Sequence, residues 1–136
     1  MTIQIMSQFG IQVDIEDKRT YRIPLGCYKN PTNFKIEPDA ATASYDMAFA
    51  VLNNLKVQIS HLDQDSCQGD FLFTQKLKKL GVIVESGCLN TVVDGRAFSV
   101  LRNVDFNFGD CTDTFITMAV ILSNVEGVSY IRGISN

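Results

Sequence analysis

The sequence has no tryptophan, one histidine (His61), three prolines and no cysteine pair spaced as C-x-x-C. A zinc site built on local spacing lacks its ligands, because Cys27, Cys67, Cys88 and Cys111 are scattered and His61 stands alone. Four reduced thiols in a cytoplasmic protein are the expectation. No apolar run approaches the ~20 residues that cross a bilayer, and the start, MTIQIMSQFG, lacks the basic opening and long apolar stretch of a signal peptide. Net charge is −3 and no basic run occurs, which removes the electrostatic footprint of a nucleic-acid binder. Lys76, Lys78 and Lys79 read as the wet face of a helix. With 46% hydrophobic and 20% charged residues over 136 positions, the chain can bury a core. Its length suits one compact domain or part of a larger one.

Periodicity predicts helices over about 1–9, 40–53, 68–80 and 113–124. It predicts strands over about 11–15, 20–24, 33–37, 56–60, 82–85, 91–94, 98–106 and 128–132. The first helix rests on Ile3, Met6 and Phe9, and a chain that opens inside a helix is expected to be an internal piece. A repeat is visible. Gly10 and Gly81, 71 positions apart (81 − 10), each follow an apolar helical turn and precede an alternating strand. Glycine there is the usual left-handed helix stop. A second pair, Ala50–Asn54 and Val120–Asn124, matches at an offset of 70 (120 − 50). A unit of this length exceeds most solenoid repeats and suggests a domain assembled from a few copies of one α/β unit.

Three segments carry candidate chemistry. In Glu37-Pro38-Asp39-Ala40-Ala41-Thr42-Ala43-Ser44-Tyr45, Asp39 caps a helix whose small residues admit a close neighbour. In Asp65-Ser66-Cys67-Gln68-Gly69-Asp70, Ser66 or Asp65 caps and Asp70 lies in the first turn, where the helix dipole favours a carboxylate. A nucleophilic Cys67 would need a lowered pKa and a histidine partner, and none is near in sequence. In Val104 to Phe115 a strand runs into a helix that opens at Thr112 or Asp113. Asp113 can cap that helix, act on a bound hydroxyl, or do both.

Together these segments resemble the EPSP synthase family (3-phosphoshikimate 1-carboxyvinyltransferase). The family's E-G-D-A-S-S-A-S-Y stretch is matched by Glu37 to Tyr45, its Q-G-D by Gln68-Gly69-Asp70, and its P-D or T-D by Thr112-Asp113. Its closing T-R-I-R-G-I-A-N strand is matched by Ser129-Tyr130-Ile131-Arg132-Gly133-Ile134-Ser135-Asn136. Order and spacing agree along the whole chain. Thr20-Tyr21-Arg22-Ile23-Pro24 and Asn30-Pro31 look most like the EPSP synthase region of the fungal pentafunctional arom polypeptide. Pro38, Ala41, Thr42 and Cys111 depart from the usual pattern and mark a diverged member.

The resemblance implies an α/β fold, the enolpyruvyl transferase inside-out α/β barrel, of which residues 1–136 would be a partial domain of about two repeat units. It implies transfer of enolpyruvyl from phosphoenolpyruvate to the 5-hydroxyl of shikimate 3-phosphate, in aromatic amino acid biosynthesis. It makes Asp113 the catalytic base and a substrate contact, and Asn136 a contact to the same substrate. No metal and no cofactor are implied. The partners would be the two substrates and the remainder of the same polypeptide. The family's Lys-Ser, its phosphoenolpyruvate-binding arginines and its R-V-K-E run with the acid/base Glu are not among these residues, so the isolated piece is expected to be inactive. Arg22 and Arg132 are cations with no assigned phosphate. Two alternatives stay open: a non-catalytic α/β remnant, and the sister transferase acting on UDP-N-acetylglucosamine.

Overall fold

The structure, a computed structural model, describes residues 1–98 and 103–135. The chain divides into two compact units, Met1–Ile36 and Glu37–Asn136.

In the first unit, α1 (Thr2–Gln8) stops at Gly10, whose φ of +88° is left-handed. The Gly10 and Ile11 N–H groups turn back to the Ser7 and Met6 carbonyls at 3.0 and 2.9 Å, satisfying acceptors that a helix end leaves open. That bond uses the N–H of Ile11, so the strand expected over 11–15 shrinks to β1 (Asp14–Ile15). It pairs antiparallel with β2 (Tyr21–Arg22). Asp17 closes the hairpin: its carboxylate accepts from the Arg19 and Thr20 N–H groups and the Thr20 hydroxyl, at 2.7 to 2.9 Å. The strand expected over 33–37 is not formed. Phe34 instead packs its ring edge-on to Phe9, with centroids 5.0 Å apart.

The second unit holds α2 (Ala40–Leu52), β3 (Lys56–Ser60), α3 (Phe73–Lys79), β4 (Ile83–Ser86), β5 (Asn90–Asp94), β6 (Asp105–Asn107), α4 (Phe115–Leu122) and β7 (Tyr130–Arg132). A three-stranded antiparallel sheet runs β3-β5-β4, with Val57 opposite Val93, Ile59 opposite Thr91 and Val84 opposite Val93. The parallel pair β6–β7 flanks α4 in the chain, a β–α–β connection. Val84 and Val93 lie in the core with Met47, Val51, Leu62, Phe73, Leu77, Met118 and Ile121. The run expected as strand over 98–106 follows a tight turn and is itself corrected. Gly95–Ala97 is a 3₁₀ turn, closed by Asp94, which accepts from the Arg96 N–H and pairs with its guanidinium. Among the described residues of that run only Asp105 and Phe106 are strand, in β6, and residues 99–102 lie outside the described residues.

The α3 stop repeats the α1 stop. Gly81 has φ +86°, its N–H reaches the Lys78 carbonyl at 3.0 Å, and the Val82 N–H reaches Leu77 at 3.1 Å. Each partner stands 71 positions (81 − 10) after its counterpart, so the sequence repeat is also a repeat of hydrogen bonds.

Where α2 crosses α4, the hydroxyls of Ser44 and Thr117 share a buried hydrogen bond of 3.0 Å. Ser44→Ala strands a buried hydroxyl and is expected to cost about 1–3 kcal/mol. A urea melt of the single variant beside Ser44→Ala/Thr117→Val checks this, and the double variant should recover part of the loss.

Candidate functional site

Three helical segments open close to one another. They are α2 after Asp39, the 3₁₀ turn Gly69–Leu72 that leads into α3, and the 3₁₀ turn Thr112–Thr114 that leads into α4. Each opening carries one aspartate: Asp39, Asp70 and Asp113. The sequence expectation of α-helix from 68 and from 113 is thus corrected to a tight 3₁₀ start in both cases. Gly69 explains the close approach, because a Cβ there would stand 2.7 Å from the Asp110 carbonyl oxygen.

Asp39 is the cap expected from sequence. Its carboxylate accepts from the Ala41 N–H at 3.0 Å and the Thr42 hydroxyl at 2.6 Å. Those hydrogen bonds, the Thr42 one foremost, hold its pKa below the ordinary aspartate value. Asp39→Ala should lower stability by about 0.5–2 kcal/mol, read as a shift in the chemical-denaturation midpoint.

Asp70 is not the dipole-stabilised carboxylate expected of a first turn. Burial, then the charges of Asp113 and Asp39, push its pKa up, and its Oδ1 is buried with no hydrogen-bond partner. The folded state therefore holds the Asp70 proton to higher pH than the unfolded chain does. The stability penalty is absent below the unfolded pKa and grows as pH rises through the folded one. Asp70→Asn should raise the melting temperature at pH 7 relative to the parent, and the difference should vanish at pH 3.

Asp113 is exposed and caps neither turn nor helix, since the openings at Thr112 and at Phe115 have no side-chain cap. The cap reading is corrected: its carboxylate is not engaged in capping. Asn136 lies outside the described residues. Among the described residues, no group of three or more His, Cys, Asp or Glu is placed to hold a metal ion.

The capping role expected for Asp65 or Ser66 also fails. The Ser66 hydroxyl donates to Glu37 at 2.5 Å, 29 residues away. Glu37 also accepts from the Cys67 N–H and thiol at 3.4 Å and from the Gln68 amide at 2.9 Å. Burial, helped by Glu37, pushes the Cys67 thiol up, which argues against a nucleophile. Both unassigned arginines are engaged, Arg22 with Glu16 and Arg132 with Asp105. Lys76 is more than a wet lysine: its ammonium donates to the Asn107 carbonyl at 2.6 Å and lies 4.7 Å from the Phe108 ring centroid. The pairing of Glu37 with Gln68 was not foreseen, because the two lie 31 residues apart and no local spacing joins their segments.

The sequence that builds this α/β unit has clear relatives among known proteins. The whole chain, residues 1–136, matches the family described as EPSP synthase (3-phosphoshikimate 1-carboxyvinyltransferase), and it belongs to that family. More narrowly, it is similar to the fungal polypeptides called pentafunctional AROM polypeptide. It is 35% identical to "Pentafunctional AROM polypeptide 2" of Lodderomyces elongisporus over 140 residues and 35% identical to that of Yarrowia lipolytica over 139. Identity to the Schizosaccharomyces pombe polypeptide is 33% over 146 residues. All of this chain is covered in each case, and it spans 9% of each relative's length.

Proposed function

We propose that this chain supplies part of an enzyme that transfers the enolpyruvyl group of phosphoenolpyruvate to the 5-hydroxyl of shikimate 3-phosphate. The observation that carries the reading is the family match over the entire chain, with Asp113 an exposed carboxylate free of capping duty. The hydroxyl oxygen bonds to C2 of phosphoenolpyruvate as its proton passes to Asp113. The methylene carbon gains a proton from an acid to become a methyl group. In the second half the methyl group returns a proton to that acid's conjugate base as the C2–O bond to phosphate breaks, restoring the C=C bond and releasing phosphate. Asp113 is the base in this scheme and Asn136 a contact to the shikimate ring. Residues 1–136 are part of a domain whose fold is the inside-out α/β barrel. The repeated helix stop at Gly10 and Gly81 supports about two copies of its unit. The partners are the two substrates and the rest of the polypeptide. A cytoplasmic setting accords with Cys27, Cys67, Cys88 and Cys111, all free thiols.

The test is complementation. These 136 residues replace the matching segment of the Yarrowia lipolytica polypeptide in a yeast lacking the transferase activity. Growth without aromatic amino acids is expected, and the Asp113→Asn chimera should not grow. A stably expressed chimera that never restores growth would refute the proposal.

A further inference from the structure

Gln68 has no part in the chemistry above, yet its side-chain amide is used at both ends. Its Oε1 accepts from the Ala40 N–H at 2.9 Å. Its Nε2 donates to the Glu37 carboxylate at 2.9 Å and to the Pro38 carbonyl at 2.8 Å. All three partners belong to residues 37–40, the opening of α2 that carries Asp39. Only an amide accepts from a backbone N–H while donating twice on its other side. Glutamate would lose both donors and set a second charge against Glu37.

The bonds start one residue before Gly69 and two before Asp70. Gly69 leans on the Asp110 carbonyl, where a Cβ would stand 2.7 Å away, and Asp113 opens the next turn. Gln68 thus ties the Asp70 turn to α2 while Gly69 lets the same turn press on the loop before Asp113. We propose that Gln68 is a positioning residue of the transferase site, its amide holding Asp70 between Asp39 and Asp113. This rests on the functional reading above.

The closing experiment is a carbon-detected NMR titration of the side-chain carboxyls in the 136-residue chain. It follows Asp70, with Asp39 and Asp113, the carboxylates that act on it, observed in the same spectra. In the parent, Asp70 should titrate above the ordinary aspartate range. In Gln68→Ala, it should lose more than half of that elevation, because the turn loosens and Asp70 gains water. Ser44→Ala weakens the fold at the α2–α4 crossing instead and should leave Asp70 where it was. A folded Gln68→Ala chain with an unmoved Asp70 titration overturns the proposal.

If Gln68→Ala does not melt cooperatively, the uncharged, similarly shaped Gln68→Met decides by the same criterion. Loss of folding in both variants would assign Gln68 to stability alone and likewise overturn positioning. In the chimera, Gln68→Ala should lower kcat more than it raises KM. An inactive chimera whose parent segment shows the expected titration would sink the transferase reading while leaving the positioning of Asp70 intact.

Discussion

Asp113→Asn in the chimeric polypeptide should reduce kcat for enolpyruvyl transfer by about 10²–10⁴-fold, the range over which a positioned general base contributes. The substitution preserves shape and removes only the capacity to take a proton. It should fold as well as the parent, because Asp113 is exposed and caps nothing. Binding of shikimate 3-phosphate should weaken far less than turnover, so KM and kcat should separate. Asp113→Glu tests the same point from the other side. It keeps the base and moves it by about one methylene, and a misplacement of that order costs about 10²-fold. Steady-state kinetics on the three proteins, with circular dichroism to show equal folding, is the measurement.

Phe73→Ala should cost about 3–5 kcal/mol, the usual loss when a fully buried aromatic ring is truncated. Phe73 is 1% exposed and begins α3 directly after the Gly69–Leu72 turn. Its ring lies in the same core cluster as Met47 of α2 and Met118 of α4. The cavity would therefore open beneath the three helix openings. A domain of ordinary stability holds only about 5–15 kcal/mol, so the variant should be close to its unfolding threshold. Urea titration should show a lower midpoint with the same slope. An unshifted midpoint would mean that the packing beneath the site is not as described.

What could be foreseen from sequence was local. The stops at Gly10 and Gly81 were legible because a left-handed residue after an apolar turn has a near-unique chemical solution. β3 formed over the expected 56–60 because Val57 and Ile59 alternate with Lys56, Gln58 and Ser60. The Asp39 cap was legible for the same reason: its partners Ala41 and Thr42 are two and three residues away. What failed depended on distant residues. Phe34 and Ile36 alternate like a strand, but a strand needs a neighbour, and Phe34 packs on Phe9 instead. Ser66 has the chemistry of a cap, but its hydroxyl donates to Glu37 and, among the described residues, its oxygen accepts only from the Gln68 N–H at 3.4 Å, ahead of the Gly69 turn. Asp70 sits where a helix dipole should welcome a carboxylate. Its burial and two neighbouring aspartates outweigh that, and neither can be seen from the first turn alone.

The candidate site was therefore legible in its members but not in their relations. Asp39, Asp70 and Asp113 stood out individually as helix-opening aspartates. Their convergence, and the Gln68 amide that links two of the openings, come only with the fold.

The most direct test of the transferase assignment is phosphorus NMR of the purified chimera mixed with shikimate 3-phosphate and phosphoenolpyruvate. The expected result is inorganic phosphate appearing in step with loss of phosphoenolpyruvate and with a new enol ether on the shikimate ring, and both changes slower by about 10²-fold or more in the Asp113→Asn protein. A folded chimera that leaves both substrates untouched, or that in a parallel sample with UDP-N-acetylglucosamine as the acceptor transfers enolpyruvyl there instead, would contradict it.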